Sequence, residues 1–109
     1  MLIQEIDENK KRYLHLLLLA DEQEDMVDRY LERGTMYVLD DNGVKAECIV
    51  TDEGNGVLEI KNIATLPDYQ KQGYARKLID FLVIPQIFMR ICFSKCQGFS
   101  INHPDIMVF

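Results

Sequence analysis

The chain has 109 residues, 48% of them hydrophobic, which suits one small domain with a modest core. Its 18 acidic and 12 basic residues give a formal net charge of −6. This charge argues against a nucleic-acid or anionic-membrane partner, because such surfaces need clustered Lys and Arg. A cationic amine is easier for the chain to accommodate.

The three cysteines, at positions 48, 92 and 96, contain no Cys-x-x-Cys pair, so we expect neither a disulfide framework nor a metal site. Small buried hydrophobes are the simpler interpretation of these cysteines. The apolar run at residues 16–20 is far shorter than a membrane span, and we expect a cytoplasmic protein with no membrane partner.

The first third of the chain predicts one short strand and two helices. Residues 2–6 alternate weakly, as a strand does, and Asp7 follows as a candidate helix cap. Asp21, with Glu24 three residues later, is typical of a helix start, and the second helix should end at Arg33-Gly34. The predicted apolar faces are Tyr13, Leu14, Leu17 and Leu18 in the first helix, and Met26, Val27, Tyr30 and Leu31 in the second.

Three strands should follow as an antiparallel meander. Residues 35–39 and 44–51 are joined by Asp-Asn-Gly at 41–43, which supplies the positive φ angles of a tight hairpin. A second glycine turn at residues 54–56 leads to another strand at 57–65.

A glycine turn, Gln-Lys-Gln-Gly-Tyr-Ala at residues 70–75, separates that strand from the next helix. The helix should begin near Gly73, with apolar positions at Ala75, Leu78, Ile79 and Leu82. The first N–H groups of a helix have no intrahelical partner and lie at the positive end of its dipole, so they can receive a phosphate. One glycine before a helix is a weak signal alone, since most such turns only change the direction of the chain.

Residues 57–83 resemble motif A of the GNAT N-acetyltransferases, whose loop reads Gln/Arg-x-x-Gly-x-Gly/Ala. Gln70, Gly73 and Ala75 fill the three defined positions. The resemblance implies an α/β fold of the α+β type, in which a mixed, mainly antiparallel sheet is flanked by helices. It also implies acetyl-CoA as the co-substrate.

The same resemblance implies a binding site for acetyl-CoA. The backbone of the strand would hold the pantetheine arm and polarise the thioester carbonyl, and the loop amides would bind the pyrophosphate. The implied strand residues are Ile63, Ala64 and Thr65, and the implied loop residues are Gln70, Lys71, Gln72, Gly73, Tyr74, Ala75 and Arg76. The side chains of Lys71 and Arg76 could add charge toward the phosphates, although such groups are more often simply solvated. Tyr69 and Tyr74 fit either packing or ligand contact.

Glu59 is the candidate catalytic residue. Its offset from Gly73 resembles the position of the general-base glutamate in the histone-acetylating branch of the family, where a carboxylate accepts the proton of the amine. The alternative is an exposed strand glutamate paired with Lys61 or Lys45, and the residues leave both interpretations open.

Residues 84–109 depart from the family pattern. Seventeen of the 18 acidic residues precede them, and Pro85 should end the motif helix early. No tyrosine follows Tyr74, so the family's thiolate-protonating tyrosine has no counterpart. We therefore expect one GNAT-like domain over residues 1–109, with a front half at 1–83 and a truncated or reading-frame-altered tail.

The tail also bears on assembly and activity. Residues 87–93 are apolar enough for one strand or a short helix, but a front half without its covering strands would expose an edge beside the motif strand. We therefore expect a homo-oligomer. The favoured function is transfer of an acetyl group from acetyl-CoA to a primary amine of a small molecule or protein. The alternative is a catalytically degenerate domain that binds CoA or only oligomerises.

Overall fold

The computed structural model describes residues 1–54, 57–83, 88–91 and 106–108. Six strands form one sheet whose spatial order follows the chain. The strands are β1 (Leu2–Ile6), β2 (Thr35–Asp40), β3 (Val44–Gly54), β4 (Val57–Thr65), β5 (Phe88–Ile91) and β6 (Ile106–Val108), and the helices are α1 (Leu14–Ala20), α2 (Glu24–Leu31) and α3 (Tyr74–Val83). The predicted mixed, mainly antiparallel sheet flanked by helices is confirmed.

β2, β3 and β4 form the predicted antiparallel meander. β1 adds to it antiparallel beside β2, and β5 and β6 add in parallel. Asn42 and Gly43 have φ angles of 57° and 107° in the β2–β3 turn, so the predicted hairpin is confirmed. Gly54, at the end of β3, has a φ angle of 87°. Residues 55–56 of the second predicted turn lie outside the described residues.

The start of the first helix differs from the prediction. Asp7 does not cap it, because a 3₁₀ turn at Lys10–Tyr13 comes first and Tyr13 occupies the N-cap position of α1. The ammonium group of Lys10 donates to the carbonyl oxygens of Leu31 and Gly34, both at 2.8 Å. This buried cation satisfies carbonyl groups at the C-terminal end of α2 and fixes the chain just before α1.

The start of α2 is also corrected. Its N-cap is Gln23 rather than Asp21. Asp21 instead accepts hydrogen bonds from the backbone N–H of Gln23 at 3.5 Å and from the hydroxyl of Tyr30 at 3.3 Å. Asp21 and Glu24 therefore indicate the region in which α2 begins, but Asp21 does not cap the helix. Its side chain instead forms a buried contact with the last turn of α2.

The sheet has an apolar core on each face. One face packs against α3, whose predicted apolar positions Ala75, Leu78, Ile79 and Leu82 are all buried. The opposite face, called here the α1/α2 face, packs against Leu17, Val27, Tyr30 and Leu31. Cys48 is buried in the α3-side core, as expected for a small hydrophobe.

The tail contributes a strand at Phe88–Ile91, so of the two predicted forms the strand is confirmed for these residues, while residues 87, 92 and 93 lie outside the described residues. The helix α3 ends at Val83, as predicted, although Pro85 itself lies outside the described residues, as do Cys92 and Cys96. The expectation of an unpaired edge on β4 is wrong for residues 57–60, which pair with β5.

No helix in the described part of the chain is long and apolar enough to cross a membrane. In the same residues, no group of three or more His, Cys, Asp or Glu side chains is placed to hold a metal ion.

Candidate functional site

One edge of β4 is paired with a neighbouring strand along only the first half of its length. Residues 57–60 pair with β5, whereas residues 61–65 have no strand partner on that edge within the described parts of the chain. The side chains of Ile63, Ala64 and Thr65 are buried, with exposed fractions of 0%, 1% and 3%. What this edge offers to a ligand is therefore its backbone N–H and C=O groups.

A β-bulge lies at the point where the pairing with β5 stops. Opposite β3, Val50 pairs with Ile60 but Ile49 pairs with Asn62, so Lys61 is the extra residue. The bulge shifts the alternation of the strand: Ile60 and Ile63 both pack on the α3 side, while Asn62 points to the α1/α2 face. A strict period of two cannot place these side chains, because the bulge moves them by one residue.

The predicted loop connects the end of β4 to α3. Its first part is a 3₁₀ turn at Pro67–Tyr69, and the side-chain amide of Gln70 then donates to the carbonyl oxygen of Thr65 at 3.3 Å. Gln70 therefore ties the loop to the end of the strand. The structure thus brings the two predicted groups of cofactor residues together at one end of β4.

The loop reaches α3 through two residues with positive φ, Lys71 at 66° and Gly73 at 88°. The first intrahelical hydrogen bond joins the N–H of Lys77 to the carbonyl oxygen of Gly73 at 3.0 Å, so Gly73 holds the N-cap position. A Cβ built on Gly73 would meet no atom within 4 Å. The glycine is needed for its backbone angle, and open space lies beside it.

The remaining predicted loop residues differ in exposure. Lys71, Gln72 and Arg76 are exposed, whereas Ala75 packs in the core below α3. Tyr74 is half-buried, and its hydroxyl donates to Asp41 in the β2–β3 turn at 2.7 Å. This hydrogen bond raises the pKa of the Tyr74 phenol. Packing is thus one role of Tyr74, while ligand contact stays a prediction.

A second aromatic contact supports the same end of the site. The rings of Tyr69 and Tyr74 meet edge to face at 6.5 Å, and the ammonium group of Lys45 lies 4.5 Å from the centre of the Tyr69 ring. Asp41 and Lys45, both from the β2–β3 hairpin, therefore buttress the loop. These contacts have no local signal in the sequence, because they join residues 24 and 33 positions apart.

Glu59 lies on β4 before the bulge, and its carboxylate forms an ion pair with Lys61 at 3.0 Å. The two side chains are 20% and 22% exposed, respectively. Of the two partners proposed for a structural glutamate, Lys61 is the one in contact with it. The carboxylate nevertheless keeps access to solvent, and its role as a general base stays a prediction.

Two buried polar residues were missed at the sequence level. Glu47 is 0% exposed on β3, and burial raises the pKa of its carboxyl group well above the ordinary value. Asn62 is also 0% exposed, and its amide nitrogen donates to Leu17 O and to the hydroxyl of Tyr30, each at 3.0 Å. A glutamate inside the apolar run Ala-Glu-Cys-Ile-Val was the available signal for the first of them.

The chain matches a known protein family and a known relative. A family model described as an acetyltransferase (GNAT) domain matches residues 32–102. The chain is 34% identical over 74 residues to the uncharacterized N-acetyltransferase YvbK of Bacillus subtilis. The matched segment covers 67% of this chain and 48% of YvbK.

Solved structures show the same likeness. An IAA acetyltransferase from Bacillus cereus is 32% identical with a TM-score of 0.68, covering 75% of this chain and 55% of that one. A GNAT family acetyltransferase from Elizabethkingia anophelis, solved with acetyl-CoA bound, is 27% identical with a TM-score of 0.70, covering 77% and 56%. The chain therefore spans about half the length of the relatives it matches.

Proposed function

This chain belongs to the GNAT acetyltransferase family, and from that premise we propose that it binds acetyl-CoA and transfers the acetyl group to a primary amine of a small molecule or protein. One observation carries the proposal. The edge of β4 loses its strand partner at residue 61, within the described residues, and runs from there directly into the loop that begins α3. Among the described residues, the backbone edge of residues 61–65, called here the open edge, is thus continuous with a helix N-terminus.

The residues of this site fit the two ends of acetyl-CoA. The N–H and C=O groups of Ile63, Ala64 and Thr65 suit the amides of a pantetheine arm, which can pair with an open strand edge. The loop from Gln70 to Arg76 offers main-chain N–H groups at the positive end of the α3 dipole, which suit a pyrophosphate. The open space beside Gly73 leaves room for such a group.

Acetyl-CoA supplies a thioester whose carbonyl carbon can accept an amine. An alkylamine has an ordinary pKa of about 10.4 and is mostly protonated at neutral pH, so a base must take its proton as attack proceeds. We assign this role to Glu59, which acts directly or through one water. The neighbouring ammonium group of Lys61 holds the carboxylate in place at 3.0 Å. A backbone N–H of the open edge polarises the thioester carbonyl. As the new C–N bond forms, the C–S bond breaks and CoA leaves as a thiolate, which takes its proton from solvent.

Two measurements test the proposal in sequence. Titration calorimetry with acetyl-CoA should give saturable heat, and acetyl-CoA at 100 times its Kd should raise the free energy of unfolding by about 2.7 kcal/mol. Absence of both heat and stabilisation would contradict the site. Release of CoA thiol is then followed with a panel of primary amines, using tertiary amines as the matched control. Binding without release from any amine would instead favour the catalytically degenerate alternative.

A further inference from the structure

Two buried residues on the α1/α2 face have polar atoms without a hydrogen-bond partner among the described residues. These atoms are both carboxylate oxygens of Glu47 and the amide oxygen Oδ1 of Asn62. Both side chains are fully buried. Acceptor atoms left unsatisfied in a protein interior are costly, and an ionised carboxylate without a donor is the costliest of them. A proton on Glu47 would remove the charge of the buried carboxylate and supply a hydrogen-bond donor for Oδ1 of Asn62.

The register of the sheet places these side chains close together. Glu47 pairs with Ala64, and Asn62 pairs with Ile49, so Glu47 and Asn62 are diagonal neighbours on adjacent strands. Both lie on the α1/α2 face: Ile49, two residues from Glu47, packs in that core, and the amide of Asn62 binds groups of α1 and α2. Diagonal neighbours are within reach of each other when their side chains are long.

We propose that Glu47 keeps its proton and donates it in a hydrogen bond to Oδ1 of Asn62, directly or through one water, as a positioning residue for the backbone of residues 61–65. The contact completes a chain of hydrogen bonds in which the Asn62 amide donates to Tyr30 and the Tyr30 hydroxyl donates to Asp21. Asn62 is the residue next to the bulge. Hydrogen bonds to both its amide nitrogen and its amide oxygen would therefore fix the backbone position of residues 61–65 relative to β3.

The surroundings of Glu47 favour the protonated state. Tyr30 faces it from α2, where burial and then Asp21 raise the pKa of the Tyr30 phenol, and an ionised Glu47 would raise it further. Cys48 follows Glu47 on β3; burial raises the pKa of its thiol, and an ionised Glu47 would add to that effect. From α1 the buried side chains are Leu16, Leu17 and Ala20, which carry no charge. Ionising Glu47 would thus place a second negative charge near the carboxylate of Asp21.

Infrared difference spectroscopy tests the protonation state on the intact chain. The spectrum of the wild type minus that of Glu47→Gln at pH 7 should contain the carbonyl band of a protonated carboxylic acid, and Asn62→Leu should shift that band by removing its acceptor. A carboxylate band in place of the acid band would overturn the proposal, and so would an acid band that Asn62→Leu leaves unmoved. Neither measurement depends on ligand binding.

The positioning role rests on the proposed function and has its own readout. Glu47→Leu removes the donor at similar volume, whereas Glu47→Gln keeps an N–H donor. In the folded variants, Glu47→Leu should shift the amide NMR signals of residues 61–65 and weaken acetyl-CoA binding about tenfold, while Glu47→Gln should stay within about twofold. Unchanged amides and affinity in Glu47→Leu would overturn the positioning role. If the wild type does not bind acetyl-CoA, the proposed function fails, and the infrared bands and amide signals still decide the hydrogen bond.

Discussion

The side-chain amide nitrogen of Asn62 lies 3.0 Å from the hydroxyl oxygen of Tyr30, in a buried contact between β4 and α2. The same nitrogen donates to the carbonyl oxygen of Leu17 in α1, also at 3.0 Å. One amide group therefore joins the strand that forms the candidate site to both helices on that face. The hydroxyl of Tyr30 passes the connection on to Asp21.

Replacing Tyr30 by Phe should lower the free energy of unfolding by about 1–2 kcal/mol, because Asn62 and Asp21 each lose a hydrogen-bond partner in a buried position. Urea denaturation measures the change. Tyr13→Phe is the matched control, since the half-buried ring of Tyr13 contacts the guanidinium of Arg12 and should tolerate loss of its hydroxyl within about 0.5 kcal/mol. Equal losses in the two variants would contradict the role given to Tyr30.

The order of elements could be predicted because each carries a local signal. Asn42 and Gly43 specify the hairpin, and the apolar spacing from Ala75 to Leu82 specifies α3. The start of α1 could not be predicted from Asp7, because the decisive contact is made by Lys10 with the far end of α2. Tertiary contacts of this kind override a local capping signal.

Replacing Gly73 by Ala should weaken acetyl-CoA binding. Its φ angle of 88° is strained for any residue with a Cβ, so the loop would shift from the geometry that presents the N–H groups of α3. Gly54→Ala is a matched control, because Gly54 has a φ angle of 87° and equally open surroundings but ends β3, opposite the start of β4 and away from the loop.

Both glycine variants should lose about 1–2 kcal/mol of stability from the same backbone strain. Calorimetry should then show a loss of affinity, about tenfold, in Gly73→Ala alone. A similar loss of affinity in both variants would mean that general destabilisation, rather than the loop, governs binding.

The stability of the chain should depend on pH through Glu47. An unfolded glutamate has a pKa of about 4.3, and burial raises the pKa of Glu47 in the folded chain, so the folded state binds the proton more tightly. Its contribution is therefore complete below pH of about 4.3 and declines as the pH rises toward the folded pKa, by up to about 1.4 kcal/mol per pH unit.

Glu47→Gln should abolish this decline and make the chain more stable than the wild type at neutral pH. Urea denaturation at a series of pH values measures it, with the exposed Glu22→Gln as the control that should follow the wild type. A Glu47→Gln curve parallel to that of the wild type would show that Glu47 does not titrate between the two states.

The geometry of the candidate site was predictable where it depends on backbone conformation. Gly73 marks the loop because a positive φ angle just before a helix start favours glycine, whereas Gln70 and Ala75 were assigned from the resemblance to motif A. The bulge at Lys61 was not predictable, since any residue type can occupy it and its position depends on pairing with β3. The support from Asp41 to Tyr74 was hidden for the same reason, because it depends on how distant elements dock.

Replacing Glu59 by Gln should lower kcat by about 10²- to 10⁴-fold and leave the affinity for acetyl-CoA unchanged. Glutamine keeps the shape of the side chain and an oxygen acceptor for Lys61, but it cannot take a proton from the amine. Steady-state kinetics with the most active primary amine measures kcat, and calorimetry measures affinity.

Glu53→Gln is the matched control for this variant, because Glu53 is also a strand glutamate near a cation, with Arg33 at 3.6 Å and the hydroxyl of Thr51 at 2.7 Å. Glu53 lies on β3, whereas the open edge belongs to β4, so Glu53→Gln should leave kcat unchanged. If Glu59→Gln retained kcat within about twofold, the ion pair with Lys61 would be a structural contact of β4, and water or another group would have to accept the proton.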